Sequence, residues 1–391
     1  MGLRIAELRK IHGLTQHALA ARANVSYSLL GKVERGERSA SPSFIAAIAR
    51  ALDIDVLDIT EQSYGPCKAH FQSEQAGVPA LRQALGEGDD PDLDTSPRGL
   101  ADLRAAVSEI KEFDRRTKHA EVIQVLPDVL RHLHRAVLDL PSAKRPAAHD
   151  VLAAAYSYAV VALYRLGHLD LSHLADERAR AAAACGDDRL RAAVAEWNHS
   201  LILMFDGAYP AGLRCIDRAD ALVDLARPTP AVPAVRGALR LRAAIIAARA
   251  SNSDLADEHL TVARSLAVDG QDEANFYGTK FGVPNVSIHH VAVPVELADS
   301  TTAITRADGV MLPAHTAPSR AGHYWIDLAR AWLLHGDRRR VLDSLRTARR
   351  IAPQLTRYHP QVHETVHTLA TQNARCTSDL PRFAAWCGIR F

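Results

Sequence analysis

Between Leu14 and Arg38 the chain reads LTQHALAARANVSYSLLGKVERGER, and this stretch restricts the fold more than any other. Its apolar residues form two short helical stripes. Leu19 and Ala20 belong to the first, Leu30 and Val33 to the second, and Val25 sits between them. Thr15 precedes the first stripe as an N-cap whose hydroxyl can accept an orphan backbone N–H. Asn24 falls at the break, where a sharp turn needs the left-handed backbone that Asn tolerates. Ser26 caps the second helix, and Gly36 ends it without a Cβ penalty. Two short capped helices joined by a tight turn make a helix-turn-helix.

The second helix carries Tyr27, Ser28 and Lys32 on the side opposite Leu30 and Val33. A phenol, a hydroxyl and an ammonium in its first and middle turns suit the base edges of a DNA major groove. Gln16 opens the preceding helix, where its amide and the free N–H groups can hold a phosphate. With the two caps and the basic rim, the DNA-facing set is Thr15, Gln16, Ser26, Tyr27, Ser28, Lys32, Arg35 and Arg38. Residues 1–38 hold seven Lys and Arg against three acids, a net +4, whereas the whole chain is only +2. The positive excess is local to this segment.

The run LRKIHGLTQHALAARANVSYSLLGKVERG resembles the phage-repressor-like (Cro/C1, XRE) helix-turn-helix family. The likeness rests on GLTQ, the LA pair, the V-S start of the second helix and E-R-G at its end. It implies that Arg9 pairs with Glu34, and that Gln16, Tyr27, Ser28 and Lys32 face DNA. Asn24 departs from the family's usual Gly. Around this motif, Ile5, Leu8 and Ile11 suggest a core stripe on the first helix. Phe44, Ile45, Ile48, Ala49 and Leu52 mark a fourth helix, capped by Ser41 with Pro42 in its first turn. Ile54, Leu57 and Ile59 close the unit. A five-helix domain over residues 1–61 is expected, then a connecting segment over 62–99 and a third region over 100–391. The stretch Gly86–Pro97, GEGDDPDLDTSP, reads as an acidic linker or loop.

At 391 residues, 48% hydrophobic and 5% aromatic, the chain can bury more than one core, and its Ala, Leu and Arg content favours helix. The five cysteines are scattered with no CxxC pair, which supports neither a disulfide framework nor a zinc ribbon. No stretch approaches the ~20 apolar residues of a membrane span, and no signal-peptide run opens the chain. A cytoplasmic all-α protein without cofactor or membrane partner is the expectation.

From about Ala147 an internal repeat appears. Gly167, Gly207, Ser251 and Gly336 are each followed twelve residues later by an alanine: Ala179, Ala219, Ala263 and Ala348. Small residues at a turn and at a close crossing are what stacked helical hairpins need. The interval between Ser251 and Gly336 leaves room for one degenerate unit around Val291–Met311. The pattern is similar to the tetratricopeptide repeat, lengthened beyond that family's period. A phage-repressor-like reader followed by such repeats resembles two groups. One is the peptide-sensing regulators of Gram-positive quorum systems. The other is a set of actinobacterial regulators, which the segments FGVPNVSIHHVAVPVELAD and RYHPQVHETV resemble. Together these imply a homodimeric regulator of a double-stranded DNA operator, whose solenoid senses a small molecule or a peptide.

Solenoids line their concave surface with first helices. Those stretches hold Tyr156, Tyr164, Trp197, Asn198, Arg242, Asn285, His289 and Trp325, the candidate ligand contacts. Residues 275–290, NFYGTKFGVPNVSIHH, suit a loop entering a groove and equally an ordinary long turn. His363-Glu364-Thr365-Val366-His367 spells HExxH, and phage-repressor-like domains fused to such peptidases form a family. A zinc peptidase is therefore an alternative, with a helical-repeat interaction scaffold as another. A third zinc ligand is wanting, since no Glu or His follows His367. No other catalytic motif is present, so a non-enzyme without a metal site is expected.

Overall fold

The computed structural model describes residues 1–54, 56–60, 73–91, 98–267, 275–372 and 379–389. Leu57's side chain and residues 92–97, most of the expected linker, lie outside that set. The first five helices are α1 Gly2–Ile11, α2 Gln16–Arg22, α3 Tyr27–Glu34, α4 Pro42–Leu52 and α5 Val56–Thr60. Thr15, Ser26 and Ser41 each accept the backbone N–H three residues on, from Ala18, Leu29 and Phe44. Asn24 takes φ 53° and Gly36 φ 70°, the left-handed backbone both breaks require. Ile5, Leu19, Leu30, Ile48 and Ile59 close one core. Ile11 departs from the expected stripe and is 68% exposed. Six residues beyond Ile5 it has turned about 120° past that side chain's direction at 100° per residue, off the buried face.

Sixteen further helices follow among the described residues. They are α6 Val78–Glu87, α7 Leu100–Arg115, α8 His119–Asp139, α9 Arg145–Arg165, α10 Leu169–Cys185, α11 Arg189–Phe205, α12 Tyr209–Asp224, α13 Ala231–Arg249, α14 Ser253–Leu266, α15 Val283–Glu296, α16 Ser300–Asp308, α17 Pro318–His335, α18 Arg338–Ile351, α19 Pro353–Tyr358, α20 Pro360–Gln372 and α21 Asp379–Cys387. The expected linker starts later than its composition implied. Gly86 and Glu87 finish α6, where Glu87 grips Arg131 at 2.6 Å and Leu81 and Leu85 are fully buried.

Six antiparallel hairpins run from α7 to α18, and one left-handed residue turns each: Thr117, Gly167, Gly207, Ser251, Ala298 and Gly336, with φ between 58° and 95°. Twelve residues after four of these turns stand Ala179, Ala219, Ala263 and Ala348, all fully buried. A methyl at the crossing lets the two axes approach closely. The degenerate unit is α15–α16, whose turn is Ala298 and whose second helix is short. The α7–α8 hairpin belongs to the same series, with Thr117 at its turn and Val129 fully buried twelve residues on.

The series curls until its end meets its beginning. Gln354 Oε1 accepts the Ala120 N–H at 3.2 Å, while Arg357 and the Tyr358 hydroxyl both bind Glu74, at 2.8 and 2.6 Å. Residues 275–282 cross the inside of this curl as a strut. Tyr277 donates to Asp188 Oδ2 at 2.8 Å, Phe281 lies against Gly237, and Lys280 reaches Asp114 on α7. A side chain at Gly237 would put its Cβ 2.1 Å from the Phe281 ring, so the strut and α13 fit only with glycine there.

Lys280 and Asp114 are 5% and 6% exposed. Burial pushes the Asp114 carboxyl up, but the Lys280 ammonium outweighs it and holds its pKa below the usual carboxylate range. Lys280→Met should cost about 3–5 kcal/mol in urea unfolding, because Asp114 is then buried unpaired. Adding Asp114→Leu should restore most of that loss. The pair's contribution should be full above pH ~4 and fade as pH falls through the depressed folded pKa.

Candidate nucleic-acid interface and a cavity behind it

On α3 the expected DNA-facing residues share one open face. Tyr27 is 48% exposed and Ser28 and Lys32 are exposed. The Tyr27 ring stacks flat on His17 of α2, with centroids 3.9 Å apart, which fixes the phenol at the start of the helix. Thr15 and Ser26 serve as caps. Arg35 pairs with Glu37 at 2.6 Å, and Arg38 is exposed at the rim. Gln16, half-buried at the start of α2, donates one amide N–H to Glu34 Oε2 at 2.6 Å.

That carboxylate organises the motif. Arg9 meets both Glu34 oxygens, at 2.7 and 3.0 Å, and also donates to the Leu14 carbonyl. Burial raises the Glu34 pKa, yet Arg9 and Gln16 more than reverse it. A bidentate, nearly buried pair between α1 and the end of α3 sets the angle of the reading helix.

The opposite side of the domain is docked on the repeats. Ala40 N–H donates to Glu364 Oε1 at 2.9 Å, Arg50 to the Gly207 carbonyl at 3.2 Å, and Gln372 to the Glu37 carbonyl at 2.9 Å. Ala46 of α4 joins the apolar core built by α11 to α15. At Gly207 a Cβ would stand 2.5 Å from that of Ala46. The HExxH residues are occupied here: Glu364 is 6% exposed beneath Ala40, and His363 Nε2 lies 2.6 Å from the Arg357 carbonyl.

Behind α4 lies a cavity of about 490 Å³, walled by Pro42, Ile45 and Val56 on one side and by the repeats and α20 on the other. Of the eight candidate ligand contacts, Tyr164, Arg242 and His289 line it. The other five lie in the packing instead. Tyr156 is bound to His134 at 2.6 Å, Trp197 backs Arg242, Asn198 is buried within α11, Asn285 holds the Lys280 carbonyl, and Trp325 packs against the apolar core that α15 and α17 to α21 share. These side chains point between helices rather than toward the axis, a distinction the first-helix rule does not make.

Of the cavity's charged residues, the sequence pointed to Arg242 but not to the ion-pair cluster beside it. Glu296 binds Arg249 at 3.2 Å and Arg330 at 2.9 Å, and Arg330 also binds Asp327 at 2.9 Å. Burial acts to raise the Glu296 pKa, but the two guanidiniums bring it down to about 2. Asp327 is pushed up to about 6, chiefly by burial. The signal available was a charge inside otherwise apolar runs, as in HHVAVPVE and DLARAWLL.

Residues 5–59 match the family described as Helix-turn-helix. YazB of Bacillus subtilis, named an uncharacterized HTH-type transcriptional regulator, is 38% identical over 65 residues, which make up 17% of this chain and 87% of that protein. The chain belongs to this helix-turn-helix family of DNA-binding regulators, in its phage-repressor-like form. The crystal structure of Bacillus thuringiensis PlcR in complex with the peptide PapR7 and DNA covers 68% of this chain and 93% of its own, at 14% identity and a TM-score of 0.25. That score does not equate the two folds. No described helix is long and apolar enough to cross a membrane.

Replacing Tyr27 or Lys32 with Ala should leave the circular dichroism spectrum unchanged. Tyr27→Ala, removing a base-edge contact, should weaken operator binding by about 1–3 kcal/mol and relax preference at one base pair. If Lys32 meets a phosphate, its loss lowers affinity for all sequences alike. DNase footprints of the two variants distinguish these roles.

Proposed function

We propose that the chain is a cytoplasmic, homodimeric transcriptional regulator whose tetratricopeptide-like repeats sense an effector and pass its presence to the DNA-reading domain. One observation carries this reading: the cavity is shared between α4–α5 and the repeats. An effector there touches the reader and its support together. One that binds a single docking geometry better shifts the population toward it by its differential affinity. A dimer would set two recognition helices about 34 Å apart, one turn of DNA. Small changes in docking would then alter the match to both half-sites. The docking contacts leave Tyr27, Ser28 and Lys32 open, which supports the docked state as the one that grips DNA.

Selection of genomic fragments by the purified full chain at about 150 mM salt, where non-specific binding is weak, should recover a two-fold-related motif. Fragments without any shared sequence would sink the proposal. Glu364→Ala, which removes the acceptor beneath Ala40, should keep the same motif but weaken binding roughly tenfold, within the usual 1–3 kcal/mol of inter-site coupling. Unchanged affinity in a gel-shift titration would disconnect docking from DNA binding.

A further inference from the structure

The charges that line the cavity are not all paired. Of its rim acids, Asp170 pairs with Arg82 at 3.3 Å, and Asp206 lies 3.7 Å from His173, another lining residue. Its inner acids, Glu296 and Asp327, are held by Arg249 and Arg330. Arg165 and Arg242 also line the space, and neither forms a salt bridge among the described residues. Asp114, the acid whose field reaches Arg165, is itself bound to Lys280. The Arg242 guanidinium lies over the Trp197 ring, 4.7 Å from its centroid, and its Nη1 has no hydrogen-bond partner.

A guanidinium drawn even partly out of water ordinarily has a carboxylate or several acceptors, because desolvation of a lone charge is costly. Arg242 has one aromatic face and three like charges for neighbours. Its pKa falls to about 9, first through burial and then through Arg320, Arg165 and Arg249. His289, His323 and His359, on the same walls, are held well below the usual imidazole range by burial, with Arg neighbours adding to it. They stay neutral and supply no countercharge of either sign. Beside Arg320, His173 and Gln361, the rest of the lining is mainly apolar, including Ile45, Val56, Met204 and Ile245.

We infer that the cavity takes a small organic anion, an apolar body bearing one carboxylate or phosphate, whose head lies against Arg242 and Arg165 and whose body reaches Ile45 and Val56. The volume suits a ligand of that size. Among the described residues Arg249 and Arg330 of the lining have their acids, whereas Arg165 and Arg242 have none. Half-buried guanidiniums that face a cavity without an acid partner mark a site that is completed by its ligand. The inference rests on reading the cavity as an effector site, and names the class of effector.

The test is thermal unfolding of the full chain at fixed ionic strength with octanoate, octyl phosphate, octanol or octylamine. One or both anions should raise the Tm by about 2–5 °C, while the alcohol and the amine should not. The anion that acts identifies the head group. Arg242→Met should lose the anion response, and without ligand its Tm should equal or exceed that of the native chain, because a repelled, unpaired charge has been removed. A guanidinium serving only to pack on Trp197 would instead lower the Tm when replaced. An equal response to octanol, no response to either anion, or a less stable Arg242→Met each overturns the inference. The unliganded chain's choice of DNA fragments tests the regulator separately, so failure of one reading is distinguishable from failure of the other.

Discussion

Three successive hairpins meet at one buried carboxylate. Glu296, at the end of α15, is clamped by Arg249 from α13 and by Arg330 from α17. Apolar contact between hairpins is tolerant of small rotations about each crossing, and the other ion pairs between hairpins, such as Arg180–Glu196 and Arg236–Asp220, are more exposed. A hydrogen-bonded ionic cluster is not tolerant, because a partner lost from it leaves a buried charge. The Glu296 cluster therefore fixes the relative rotation of the hairpins that wall the cavity. The strut from Tyr277 to Lys280 does the same across the interior. The curl closes, and the space inside it keeps its shape, because these polar contacts sit at its inner surface.

Much of this was legible along the chain because it is local. Caps at Thr15, Ser26 and Ser41, the left-handed Asn24, and the core residues from Leu19 to Leu52 depend on neighbours within a turn or two. The four turn-and-crossing pairs were legible for the same reason: a small residue at a left-handed turn and an alanine twelve positions later obey spacing alone. The α7–α8 hairpin was not recognised as one of the series because Thr117 holds the turn. A β-branched residue there gives no signal of positive φ, although the fold imposes it. Ile11 was misplaced because three apolar residues at equal spacing of three drift off one face.

What could not be read was anything set by distant closure. Glu364 lies in a motif that suggests zinc chemistry, and its role beneath Ala40 depends on the last helices returning over the first domain. The candidate contacts on the first helices were chosen by helix rather than by side-chain direction, and five of the eight turned between helices. Arg165, Arg249, Arg330 and Glu296 could have been suspected as charges in apolar runs. Which of them cancel and which do not is a property of the assembled cavity alone.

The docking of the reader has one further property. Each of the three hydrogen bonds to the repeats described above uses a main-chain group on one side: the Ala40 N–H, the Glu37 carbonyl and the Gly207 carbonyl. Main-chain groups are present whatever side chains surround them. Exchange of the exposed residues on α3 would therefore leave the mounting intact. The reader behaves as a replaceable cartridge on a fixed mount, so that a lineage, or an engineer, could exchange the DNA-facing residues without rebuilding the repeats.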